Sequence, residues 1–85
     1  MHDLHEANKI LKVILDYAQK NKLVRVTKAV IELGSVIEHG DEISSENLEF
    51  NLLMLAKNTV AQGMEVKIEK VKGESWVLKE IKAEV

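Results

Sequence analysis

The sequence predicts an α+β fold in a single domain spanning residues 1–85, with elements in the order α-β-α-β-β. Two segments place apolar residues at the three- and four-residue spacing of amphipathic helices. Three others alternate apolar and charged residues as strands do, and 85 residues leave room for one core. We expect a three-stranded mixed sheet with both helices packed on one face.

The first helix is predicted from Leu4 to about Asn21, where apolar residues recur at spacings of three and four. Asp3 followed by Glu6 is the aspartate form of a capping box, which places the helix start at Leu4. Residues 1–3 then precede the helix and lie next to the positive end of its dipole.

A first strand is predicted over residues 24–33, which are rich in β-branched side chains. Apolar residues alternate there with Lys28 and Glu32, and Gly34 ends the pattern. The stretch SVIEHGDEIS that follows is interpreted as an irregular connection containing three acids and His39.

The second helix should begin at the serine pair 44–45, because serine is a favoured helix cap, and run to about Asn58. Its apolar arc is wide, which indicates that it is pressed between the sheet and another surface. Phe50 and Met54 in this helix, together with Trp76, are interpreted as core packing rather than as a ligand cage.

Two further strands are predicted over residues 64–71 and 76–85. The first of these should run parallel to strand 24–33, because a helix connects them. The turn Lys72–Ser75 should join the last two strands as an antiparallel hairpin, with Gly73 at positive φ. The other sheet face, lined by lysines and glutamates, is expected to face water.

Composition excludes several classes of function. The chain has no cysteine, so disulfides, thiol catalysis and cysteine-ligated zinc are excluded. Its 12 basic and 14 acidic residues are interspersed, which argues against a nucleic-acid or anionic-membrane surface. No apolar stretch approaches the roughly 20 residues needed to span a bilayer, and no signal peptide is evident. We expect a cytoplasmic protein and, without a phosphate loop or nucleophile motif, not an enzyme.

The start of the chain is suited to metal binding. In a chain that begins at Met1, the α-amine, the backbone amide of His2 and its imidazole can close two fused chelate rings around one ion. The amide nitrogen of Asp3 can supply a fourth ligand. Such an all-nitrogen set suits Ni(II) and Cu(II), which accept square-planar geometry, better than Zn(II). The alternative is that His2 is an exposed histidine without a role.

The other two histidines have two interpretations each. His5 lies three residues after His2 and can bring its ring to the same metal, or it can be a solvated helix residue. His39 lies among the acids Glu38, Asp41 and Glu42, which form either an oxygen-rich auxiliary site or a solvated loop.

Four stretches resemble the HypA family of nickel metallochaperones: MHDL, VTKAVIELG, NLEFNLLMLAKNTVAQGMEVKIE and LKEIKAE. The resemblance covers nearly the whole chain in the same element order. It implies a role in nickel delivery during hydrogenase or urease maturation, with a maturation GTPase and a nickel-enzyme precursor as partners. It also implies that Met1, His2 and Asp3 bind Ni(II).

The chain departs from the family pattern in two places. The family carries a zinc loop with two Cys-x-x-Cys pairs between the last two strands, whereas VKGESW joins them here, so no zinc is expected. The connection after Gly34 is a few residues longer, so no functional residue is carried over from it. Two functions stay open: a nickel metallochaperone, or a HypA-like interaction module that has lost metal delivery and docks a GTPase. Self-association is left open.

Overall fold

A computed structural model describes residues 2–35, 37–38 and 41–85, with the side-chain surroundings of residues 5–35 and 42–85. Its elements are α1 (His2–Lys20), β1 (Arg25–Leu33), β2 (Ile37–Glu38), β3 (Asp41–Glu42), α2 (Ser45–Leu55), β4 (Glu65–Lys70) and β5 (Trp76–Glu84). The predicted α+β class is confirmed. The connection before α2, expected to be irregular, contains β2 and β3, which pair antiparallel.

The three long strands form one mixed sheet in the order β4-β1-β5. β1 runs parallel to β4, with Lys28 opposite Glu65, as predicted. β1 also pairs antiparallel with β5, where Val26 lies opposite Ala83. The predicted hairpin between the last two strands is therefore wrong, because β4 and β5 lie on opposite sides of β1.

β1 is central because it is the most apolar of the three strands and is buried on both faces. Four of its side chains belong to the core: Val26, Ala29, Ile31 and Leu33. Val30, which alternates with them, is also buried, although it faces away from that core. β4 and β5 have no fully buried residue. A neighbour on each side removes the apolar strand from water, and the charged strands form the edges.

The ladder between β1 and β5 is irregular at two points, where one residue has no direct partner. The first is Thr27, whose hydroxyl donates to the Lys82 carbonyl at 3.1 Å. The second is Lys79 in β5. The first bulge lets Val26 and Ala29, three positions apart, both face the core.

The two helices pack against each other and against the sheet. α2 is capped by Ser44, whose hydroxyl accepts the amide of Asn47 at 3.1 Å, so the predicted serine cap is confirmed. The helix ends at Leu55, before the predicted Asn58, which instead adopts a positive φ of 65°. No helix in the described part of the chain is long and apolar enough to cross a membrane.

Candidate metal site at the start of the first helix

The predicted metal-binding residues lie at the beginning of α1. Met1 lies outside the described residues, as do the side-chain surroundings of His2 and Asp3. The backbone of His2 and Asp3 is described, and it is helical. Metal coordination by the His2 imidazole and by the amides of His2 and Asp3 therefore stays a prediction, while the conformation of these two amides is described.

The predicted helix start at Leu4 is wrong, because α1 begins at His2. Asp3 is thus inside the first turn and does not cap the helix. The first four N–H groups of an α-helix have no acceptor within the helix. The amides of His2 and Asp3 are among these, so a metal ion that takes them as ligands breaks no hydrogen bond of α1.

Glu6, which the capping-box interpretation assigned to the helix start, has a different role. Glu6 is 7 % exposed, and it is the only buried charged residue in the ranges 5–35 and 42–85. The Trp76 indole N–H donates to its Oε1 at 2.7 Å. The Lys9 ammonium lies 3.7 Å from its Oε2. Both carboxylate oxygens therefore have a partner, and one of these partners is the first residue of β5.

The segment between β4 and β5 crosses the same end of the sheet. We call residues 71–75 the crossover segment. The Gly34 amide donates to the Ser75 carbonyl at 2.9 Å, and the Ser35 amide donates to the Gly73 carbonyl at 2.8 Å. Trp76 pairs with Leu33 in the sheet. The first turns of α1, the end of β1 and the crossover segment thus meet at one end of the molecule.

The acid-rich connection adds no ligand set within the described residues. His39 lies outside them, and only the backbone of Glu38 and Asp41 is described. Glu42 is exposed and accepts the Ser35 hydroxyl at 2.6 Å. The described residues contain no group of three His, Asp or Glu that could hold a metal ion. His5 is exposed on α1, and its participation in metal binding stays a prediction.

A depression at the opposite end of the sheet is separate from this site. Its volume is about 460 Å³, and it is lined by Val24, Arg25, Thr59, Val60, Gln62 and Gly63. No histidine or carboxylate lines it. The depression is therefore unsuited to bind a metal ion, and depth alone does not identify the site.

Both helices carry exposed apolar side chains. Phe50 and Met54 in α2 are 66 % and 41 % exposed, so their predicted core packing is wrong. Trp76 is half-buried against the core, as predicted. On α1, Val13 and Tyr17 are 44 % and 49 % exposed. Tyr17 also lines a groove of about 200 Å³ with residues 78–81 of β5.

Sequence reasoning missed the pairing of Glu6 with Trp76. One signal was available: Glu6 immediately precedes Ala7, on the apolar side of an otherwise amphipathic helix. A carboxylate at such a position needs a buried donor, and an indole N–H is one that a core can supply. The identity of that donor, 70 positions away, depends on the strand order.

Comparison with known proteins identifies related sequences. A family model described as hydrogenase/urease nickel incorporation, metallochaperone, HypA, matches residues 1–79. A hydrogenase maturation factor HypA of Methanobrevibacter smithii is 34 % identical over 84 % of this chain and 54 % of its own length. Those of Azoarcus sp. and Pyrococcus furiosus are 33 % and 32 % identical over 92 % and 96 % of this chain. The chain spans 65 % and 62 % of these two relatives.

Proposed function

Because the chain belongs to the HypA family of nickel metallochaperones, we propose that it binds Ni(II) as cargo at its N-terminus for delivery to a maturing nickel enzyme. One observation carries this proposal: α1 begins at His2, which leaves the amides of His2 and Asp3 without helical acceptors. In a chain that starts at Met1, these two amide nitrogens lie beside the α-amine and the His2 imidazole.

The chemistry of this ligand set favours Ni(II) and Cu(II) over Zn(II). Amine, amide and imidazole nitrogens can lie in one plane around the ion, which Ni(II) and Cu(II) accept and Zn(II) does not prefer. The positive end of α1 disfavours a nearby cation. Each amide nitrogen that loses its proton binds the metal as a negatively charged ligand. This negative charge offsets the repulsion between the helix dipole and the cation. Cu(II) should bind more tightly than Ni(II) in vitro, following the Irving–Williams order.

We predict that three changes abolish Ni(II) binding independently: His2→Ala, acetylation of the Met1 amine, and extension of the chain ahead of Met1. The first change removes the imidazole, and the other two convert the free amine to an amide, so each removes one ligand of the proposed chelate. Isothermal titration of Ni(II) into protein with an authentic Met1 measures the effect. His5→Ala is a separate test, and it should weaken binding only if that ring completes the coordination. An N-terminally tagged protein that binds one Ni(II) with unchanged affinity would contradict the assignment.

The affinity should rise steeply between roughly pH 6 and pH 8. The amine and the imidazole must be neutral to bind, and their reference pKa values are about 7.7–8.0 and about 6.5. The amides must also release protons to the solvent, which steepens the dependence. Titrations across this range check the prediction, and a flat profile would indicate carboxylate ligands instead. Elemental analysis of the purified protein should find no stoichiometric zinc.

The second candidate function is an interaction module that docks a maturation GTPase without carrying metal. The exposed pair Val13 and Tyr17 on α1 favours it, because exposed apolar side chains beside a groove are typical of docking surfaces. Val13→Ser combined with Tyr17→Ser should weaken association with a GTPase and with a nickel-enzyme precursor. Phe50→Ser is the matched control, an apolar residue on the other helix that is more exposed than Val13 and Tyr17.

The two candidates are distinguished by the metal titration. Ni(II) binding with retained GTPase association supports the metallochaperone. GTPase association without Ni(II) binding supports the interaction module. If the protein co-purifies with no GTPase under native salt conditions, the partner proposal is wrong.

A further inference from the structure

Glu6 is a buried carboxylate that is not a ligand in the proposed chelate. The core of α1 is built from its apolar residues, among them Ala7 and Ile10, and a buried charge adds nothing to their packing. A carboxylate is retained at such a position only when its oxygens are satisfied. Here the Trp76 indole donates to one oxygen at 2.7 Å, and the Lys9 ammonium lies 3.7 Å from the other.

This hydrogen bond joins two segments that are distant in sequence. Glu6 is one turn away from His2 and Asp3 in α1. Trp76 begins β5, pairs with Leu33 and directly follows the crossover segment. The indole ring also packs against the core, so its donor group is held in place by the sheet. The bond therefore ties the beginning of the helix to a rigid part of the molecule.

The beginning of a helix otherwise frays readily, because its first amides lack acceptors. The amides of residues 6–9 bond to the carbonyls of residues 2–5 in a regular α-helix. A fixed Glu6 thus holds the turn that carries the proposed ligand amides. A chelate formed from an already ordered turn loses less conformational entropy on binding.

We infer that Glu6 and Trp76 are positioning residues, which hold the first turn of α1 in the conformation that presents the amides of His2 and Asp3 to a metal ion. The inference rests on the proposed function for the identity of the ligand. In the metal-free protein, too, the order of this turn depends on the Glu6–Trp76 hydrogen bond.

The test compares Ni(II) affinity, measured by titration at fixed pH, across variants with an authentic Met1. Trp76→Phe keeps an aromatic ring and removes the donor, and we expect it to weaken binding about tenfold or more. Glu6→Gln keeps an acceptor oxygen for the indole and should largely retain affinity. Val26→Ala is the matched control, because it opens a core cavity at the far end of β1 and should leave affinity unchanged.

A double variant separates positioning from stability. Glu6→Leu combined with Trp76→Phe removes both polar groups, so neither is left unsatisfied and the fold should be retained. The hydrogen bond between residues 6 and 76 is still lost, and Ni(II) affinity should fall as it does in Trp76→Phe alone. If either variant binds Ni(II) as tightly as Val26→Ala does, the inference is overturned.

A second readout uses the metal-free proteins. Amide hydrogen exchange of residues 6–9 should be faster in Trp76→Phe and in the double variant than in Val26→Ala. If the unmodified protein binds no Ni(II), the proposed function fails, and this exchange still decides whether the hydrogen bond orders the turn. Equal exchange in all the variants would overturn the inference.

Discussion

At the scale of single residues, Lys79 forms ion pairs with two glutamates on the sheet face that points away from the helices. Its ammonium lies 3.2 Å from a Glu69 oxygen in β4 and 4.0 Å from a Glu32 oxygen in β1. Lys79 is the unpaired residue of the β5 bulge, which places its side chain on this face. The hydrogen bond and the charge of Lys79 lower the pKa of Glu69, and the same contacts raise the pKa of Lys79.

We predict that Lys79→Met raises the pKa of Glu69 toward its ordinary value, as measured by NMR titration of the side-chain carboxyl. Lys67→Met is the matched control and should change that pKa less, because Lys67 contributes less to the shift than Lys79 does. The lowered pKa means that Glu69 stabilises the fold at neutral pH, and that this contribution is lost as the pH falls through the lowered value. Equal shifts in the two variants would contradict the assignment to Lys79.

At the scale of elements, α2 shows how a wide apolar arc can be misread. Leu48 and Leu52 are fully buried between α1 and the sheet, whereas Phe50 and Met54 on the other side are exposed. The sequence pattern shows that both sides of the helix are apolar, but it does not show that only one of them has a neighbour. Among the described residues, no element covers the side that carries Phe50.

We predict that Phe50→Ser changes the free energy of unfolding by no more than about 0.5 kcal/mol, because little of its side chain leaves water on folding. Leu52→Ala should destabilise the protein by about 2–5 kcal/mol, through lost burial and a new cavity. Denaturant unfolding of both variants measures the difference. A large loss for Phe50→Ser would indicate that this side is covered in solution, for example by self-association.

At the scale of the whole molecule, the strand order requires the crossover segment to pass over the end of β1. Gly34 is the point of closest approach. A Cβ at that position would lie 2.7 Å from the Gly73 carbonyl carbon and oxygen, and 2.8 Å from the Ser75 oxygen. All of these are backbone atoms, which cannot turn away as a flexible side chain can. Gly73 has a positive φ of 139°, as predicted, although it serves this crossover and not a hairpin.

We predict that Gly34→Ala destabilises the fold by about 1–3 kcal/mol, the usual range for overpacking. Lys72→Ala, an exposed position in the same segment, is the control and should be nearly neutral. Thermal unfolding of both variants tests this. If Gly34→Ala were neutral, the close approach of the two segments would be wrong, and with it the detailed path of the crossover.

The sequence by itself determined the kind and order of the long elements, since helical and strand periodicity are local properties. It also determined the parallel pairing of β1 with β4 and the composition of the proposed chelate, whose atoms belong to three consecutive residues. The predicted helix start was wrong, because an aspartate followed three residues later by a glutamate occurs both in a capping box and inside the first turns of a helix that begins earlier. Only the backbone shows that α1 begins at His2.

The tertiary structure decided which strands are neighbours, and from this follow the features that sequence reasoning missed. A five-residue connection favours a hairpin locally, but the burial of β1 on both faces favours a place between the two edge strands. That order brings Trp76 to Glu6 and the crossover segment to Gly34. Such contacts join residues tens of positions apart, and their energies depend on packing around the whole core, which no local pattern encodes.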